Sequence, residues 1–327
     1  MLALAATTSS GREQFHPCTV CWMTRLFRDL PTFIYGTTRL GDRSVPRQQR
    51  LEVARAAVDR GLWMHTSRQY DEALEVLGET FADANASDIK AKTPLIVKVG
   101  GGTAEDVRTT IAENLKPLGV EAINIGQLSP VDGLENDLIA GGAALSRLRE
   151  LKDEGLVGRF VLEIFPWTSA APLEAIRSGH LDGLIDGVIT YYNPLQRFAS
   201  NELWAELIEQ SVSIISMRTV AGAPVHTLRD VPGAAWRPYL QERAVEIAPI
   251  FERSGIETWV EFCLRFAHSQ PQVVATVGST SRIENLDELL RHSVDLEPLP
   301  EEVLHDIATL QARWSDETDI YAEPWTM

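Results

Sequence analysis

Short β-branched or apolar runs alternate with segments of helical period from Phe33 onward, and this alternation most narrows what the chain can fold into. Each run reads as a buried strand and each periodic segment as the helix that carries the chain back for the next parallel strand. The strands read at Phe33 to Gly36, Leu62 to Thr66, Leu95 to Val99, Ala122 to Gln127, Arg159 to Glu163, Gly187 to Tyr191, Val212 to Met217 and Val273 to Val277. Helical segments fit Val53 to Arg60, Leu138 to Lys152, Thr258 to His268 and Glu301 to Trp314. Thr103 reads as an N-cap with Asp106 at the capping-box distance, ahead of an apolar stripe of Val107, Ile111, Leu115 and Leu118.

Eight strand–helix pairs are the count of a closed barrel, so the expected fold is α/β, a single (β/α)8 TIM barrel with an extra C-terminal helix. The barrel is expected over residues 31–327, after a flexible N-terminal extension at 1–30. Whether translation starts at Met1 or Met23 stays open. An open doubly wound sheet is disfavoured. No Gly-x-Gly-x-x-Gly turn follows the first strand, and Gly100-Gly101-Gly102 after the third lacks the rest of that fingerprint.

The formal net charge of −16 repels phosphodiester backbones and anionic lipid, and no basic stripe offsets it, so neither nucleic acid nor a membrane is an expected partner. No apolar run of roughly 18 residues is present, and Met1-Leu-Ala-Leu-Ala-Ala is too short for a signal-peptide core. Three cysteines make no disulfide framework, which fits a reducing, cytoplasmic setting. Cys18 and Cys21 would supply only half of a zinc site and no second ligand pair lies at suitable spacing, so no metal is expected.

The strand ends bear a resemblance. Tyr35-Gly-Thr-Thr-Arg-Leu-Gly41, Ala54-Arg-Ala-Ala-Val-Asp-Arg-Gly61, Trp63-Met-His-Thr-Ser-Arg-Gln-Tyr70, Glu75-Val-Leu-Gly78, Leu115-Lys-Pro-Leu-Gly119 followed by Ile123 to Asp132, Tyr192-Asn193, and Val277-Gly-Ser-Thr280 occur in the order of the matching segments of aldo-keto reductases. The resemblance implies a small-molecule carbonyl or sugar-like substrate, NADP(H), and a catalytic Asp, Tyr, Lys and His in which the Tyr protonates the carbonyl oxygen. Carried over by position, the Tyr is Tyr70 and the Lys is Lys98, whereas His65 stands for the Asp and Ser129 for the His. The positions that clamp the nicotinamide amide read Glu163, Ile164 and Ile189, and Met217 stands for the stacking aromatic. Glu284 and Glu288 occupy the places of an Arg for the 2′-phosphate and an Asn for the adenine. Gly278, Ser279 and Thr280 at a helix N-terminus still suit an anion, and with Met217 and Arg218 they are the candidate cofactor-binding residues.

Each of these residues also has a plainer reading. His65 is either a satisfied core group or a proton shuttle near neutral pH. Glu163 is a base with a raised pKa or an ion-pair partner of Arg159 or Arg218. Ser129 lines the pocket rather than serving as a nucleophile, since no Gly-x-Ser-x-Gly elbow surrounds it. Tyr192 reads as a pocket wall, and Arg218 as a partner for an anionic group or as plain surface. Trp236 and Tyr239 line a cleft beside the long segment Thr219 to Arg237, or pack in the core. Three functions follow: an NADP(H)-dependent carbonyl reductase, a cofactor-independent isomerase, lyase or cyclase using Tyr70, Lys98 and His65, or a non-catalytic binding protein. The oligomeric state stays open.

Overall fold

The computed structural model describes residues 27, 29–83, 93–165, 170–220 and 238–317. Strands β1 (Phe33–Gly36), β2 (Met64–Thr66), β3 (Leu95–Gly100), β4 (Ile123–Leu128), β5 (Val157–Ile164), β6 (Ile185–Asn193), β8 (Ile214–Met217) and β9 (Val273–Gly278) run parallel. The order β5-β4-β3-β2-β1-β9-β8-β6, with β5 also pairing β6, closes the sheet into the expected barrel. A short strand β7 (Gln196–Arg197) folds back antiparallel on the end of β6, so the seventh barrel strand is β8.

Alternation along the strands sorts side chains to two layers. Ile34, Ile96, Ile125, Val161, Ile189, Ile215 and Ala275 fill the barrel interior as one cluster. Their neighbours, such as Phe33, Tyr35, Leu95, Val97, Phe160, Leu162 and Val188, point outward and pack under the helices. Those helices are α1 (Arg47–Asp59), α2 (Ala73–Ala82), α3 (Ala104–Leu118), α4 (Leu134–Ala140), α5 (Ala143–Asp153), α6 (Ala170–Ser178), α7 (Asn201–Glu209), α8 (Pro238–Arg253), α9 (Trp259–His268), α10 (Ile283–Arg291) and α11 (Glu301–Glu317). The Thr103 cap forms as the sequence suggests: its hydroxyl accepts from Asp106 N, and Asp106 Oδ2 accepts from Thr103 N at 2.8 Å.

Several boundaries differ from the sequence reading, α1 starting at Arg47 rather than Val53, and two differences bear on the packing. The helix read from Leu138 to Lys152 is two helices, broken at Gly141, whose φ is 71°, and at Gly142. A Cβ on Gly142 would lie 2.0 Å from Asp137 Oδ1, and the other oxygen of that carboxylate accepts from Ala144 N at 2.8 Å at the start of α5. Periodicity misses the break because Asp137 supplies a cap from the preceding helix. Phe27 and Leu30, placed by the sequence in an N-terminal extension, are instead buried with the interior cluster, and Asp29 pairs with Arg159 at 2.9 Å. Residues 1–26, with Cys18, Cys21 and Met23, lie outside the described residues, as do 221–237, including Trp236, and the side chain of Tyr239. No described helix is long and apolar enough to cross a membrane, and no group of metal-ligating side chains occurs among the described residues.

Candidate active site

The C-terminal ends of β2 to β5 bring five of the singled-out residues together. His65, Lys98 and Glu163 are buried on β2, β3 and β5, and Ser129 follows β4. Tyr70 sits on the loop after β2 and is 8% exposed. That loop is held from several sides. Tyr70 N donates to Ser67 O at 3.1 Å, and Ala73 N donates to Tyr70 O at 2.9 Å. Asn114 of α3 accepts from Arg68 N at 2.9 Å. Gly41 makes the close approach possible, since a Cβ there would meet Tyr70 O at 2.0 Å.

Lys98 Nζ donates to Glu163 Oε1 at 2.9 Å, and Ser129 Oγ donates to Glu163 Oε2 at 2.8 Å. The ammonium also lies 5.8 Å from the centre of the Tyr70 ring. Sequence reasoning gave Glu163 the wrong partner. Arg159 pairs instead with Asp29 and, at 4.0 Å, with Asp186, while the Arg218 guanidinium lies 5.0 Å over the Tyr191 ring. The reason is register: Glu163 points into the barrel, where Lys98 also points, and Arg159 lies at the opposite end of β5.

Burial pushes the Tyr70 phenol up to about 12; Lys98 opposes this, Tyr191 and Glu163 add to it, and a hydrogen bond with Thr38 opposes it. Burial alone would lower the Lys98 ammonium, but Tyr70, Glu163 and Tyr191 together with the Glu163 hydrogen bond hold it above its usual value. At neutral pH the site therefore pairs a protonated phenol with a charged ammonium.

His65 behaves differently from the shuttle considered above. Its Nε2 lies 2.7 Å from Gln127 Oε1, and burial pushes its pKa down to about 4, with Gln127 raising, Lys98 lowering and Glu163 raising it. It is neutral near pH 7 and serves as a satisfied core group. Gln127, fully buried on β4 two residues before Ser129, went unnoticed in the sequence. The available signal was a polar side chain at an inward position of an apolar strand.

Tyr192 is also corrected. Its ring stacks on Trp204 at 4.6 Å and meets Phe266 at 4.9 Å, in the layer between barrel and helices. Tyr191 takes the inward place, stacked on Phe198 at 4.7 Å beside Met217. A shift of one residue along a strand exchanges the two faces. Met217 is buried there, and Arg218 follows with a positive φ of 49°.

The turn after β9 is built by β1 and its loop. Tyr35 Oη donates to Thr280 O at 2.6 Å, Arg39 N donates to Ser279 Oγ at 2.9 Å, and Arg282 N donates to Thr280 Oγ1 at 3.1 Å. These bonds fix Gly278 to Thr280 at the N-terminus of α10, the arrangement that suits a phosphate. At the other end, each Glu163 oxygen already holds one donor, and a carboxylate oxygen has a second lone pair. Of the positions carried over for the amide clamp, Glu163 offers a polar side chain and Ile164 and Ile189 offer none. Glu284 is exposed and Glu288 half-buried on α10. A separate groove of about 600 Å³, lined by Thr103, Arg108, Asp132 and Arg147 among others, shares no residue with this cluster.

A barrel of this topology with a phenol and an ammonium at its C-terminal rim defines a class, and a sequence profile of the aldo/keto reductase family matches residues 32–312; the chain belongs to that family. Among solved structures it is similar to the aldo-keto reductase AKR11C1 from Bacillus halodurans in its holo form, at 18% identity and a TM-score of 0.64, over 85% of this chain and 91% of that one. It is also similar to an aldo/keto reductase from Klebsiella pneumoniae in complex with NADP and acetate, at 20% identity and a TM-score of 0.62, over 86% and 92%. No curated protein matches the chain.

Proposed function

We propose that the protein interconverts a carbonyl and a hydroxyl group on a small carbonyl or sugar-like substrate, with NADP(H) as the hydride carrier and Tyr70 as the proton carrier. The supporting observation is the buried Lys98 ammonium beside the Tyr70 ring. A phenol held near 12 is an acid in waiting, and the adjacent positive charge stabilises the phenolate left when its proton moves to a carbonyl oxygen. Gly278 to Thr280 would hold a phosphate. The dinucleotide, when bound, supplies or receives the hydride. The Klebsiella relative, solved with NADP, supports the same assignment.

The rival reading, proton abstraction without a cofactor, is supported by the apolar clamp positions Ile164 and Ile189 and by Glu284. It needs a base. Among the described residues of the cluster, His65 is committed to Gln127, and Glu163 is paired with Lys98 and Ser129. The site is supplied with a donor instead, which favours protonation of a carbonyl. The test is a titration with NADPH and, separately, NADH, followed by cofactor fluorescence. Saturable binding in the micromolar range of either supports the reductase reading, and no binding of either leaves the cofactor-independent one. A cytoplasmic setting belongs to the same proposal.

A further inference from the structure

Lys98 is 6% exposed, and a charge buried this deeply is costly unless it is paired. The elements packed around it offer few charges. From β2 comes His65, neutral and bonded to Gln127; from β4, Ser129; from β6, Tyr191, with Arg218 lying over that ring; and from the loop after β2, Tyr70. Glu163 on β5 is the carboxylate that acts on the ammonium, at 2.9 Å, and Ser129 fixes its second oxygen. The β2 position, where the resemblance implies an aspartate, holds a neutral imidazole, so the counter-charge reaches Lys98 from another strand.

We propose that Glu163 is a positioning residue that offsets the Lys98 charge and so, together with burial, keeps Tyr70 in its proton-carrying form. Glu163 offsets part of the Lys98 charge at the phenol, and without it the ammonium's pull toward phenolate is less opposed. Glu163 acts on Tyr70 through Lys98 and touches no reacting atom. Ser129 serves as the clasp that keeps the carboxylate aimed at Nζ. The inference rests on the reading of Tyr70 as proton carrier, but its test does not depend on turnover.

The experiment is an alkaline titration of the full chain by tyrosinate absorbance, with Tyr70 assigned by difference from a Tyr70→Phe chain. Glu163→Gln, which keeps shape and removes charge, is expected to lower the Tyr70 midpoint by about one unit or more. Glu163→Asp, which keeps the charge, is expected to stay close to the parent. Adding His65→Asp to Glu163→Gln, which returns a carboxylate from the neighbouring strand, is expected to raise the midpoint again. An unmoved or raised midpoint in Glu163→Gln overturns the proposal. So does a Glu163→Asp chain that shifts as far as Glu163→Gln, or a double variant that shows no recovery. These results concern the free protein. Loss of the reductase reading would appear instead as full turnover by Tyr70→Phe, whatever the titration shows.

Discussion

The Nε2 of His65 lies 2.7 Å from Oε1 of Gln127, with both side chains sealed inside the barrel. Burial lowers the imidazole from its ordinary 6.5 to about 4, so the unfolded chain takes up a proton there before the folded one does. Stability from this group is complete above about pH 6.5 and is lost as pH falls toward about 4. The parent is expected to lose about 2 kcal/mol from this source between about pH 7 and about pH 5. Urea unfolding at the two pH values checks it, with His65→Asn as the reference. The variant lacks the titrating ring, so its pH slope across this window should be shallower than the parent's.

Gly78 fixes how closely α2 approaches α3. A Cβ there would lie 2.0 Å from Pro117 O and 3.0 Å from Pro117 C, contacts with backbone that no side-chain rotation relieves. Gly78→Ala is expected to destabilise by about 1–3 kcal/mol or more. Activity per folded molecule should be unchanged, because the strain falls outside the barrel. Chemical denaturation alongside a specific-activity assay separates the two effects.

Tyr35 on the first strand donates to Thr280 O beyond the last, at 2.6 Å, a bond that spans most of the chain. Tyr35→Phe leaves that carbonyl without its donor and is expected to cost about 1–3 kcal/mol. If Gly278 to Thr280 hold a phosphate, the same change should weaken dinucleotide binding more than it changes the maximal rate. A binding titration on the folded variant reads this directly.

The barrel was legible because its signal is distributed over many residues. β1 is observed at Phe33–Gly36 and β9 at Val273–Gly278, within one residue of their periodic runs. A local cap can override such a signal, as Asp137 does where it ends one helix and starts the next. The site was legible in its parts and not in its pairings. Tyr70, Lys98, Ser129 and Glu163 do converge, but the partner of Glu163 depends on which strand faces which across a closed barrel. Spacing along the chain carries no such information. Tyr191 and Tyr192 show the same limit at single-residue scale, since adjacent tyrosines on one strand look alike in sequence and lie on opposite faces.

Transfer of a hydride coupled to the Tyr70 proton is tested most directly by following NADPH consumption with a panel of small aldehydes, ketones and aldoses, comparing the parent with Tyr70→Phe. The parent is expected to oxidise NADPH with at least one carbonyl, and Tyr70→Phe to bind the cofactor equally well while losing about a hundredfold or more in rate. A parent that binds neither NADPH nor NADH, or a Tyr70→Phe chain that turns over at the parent's rate, would contradict the account.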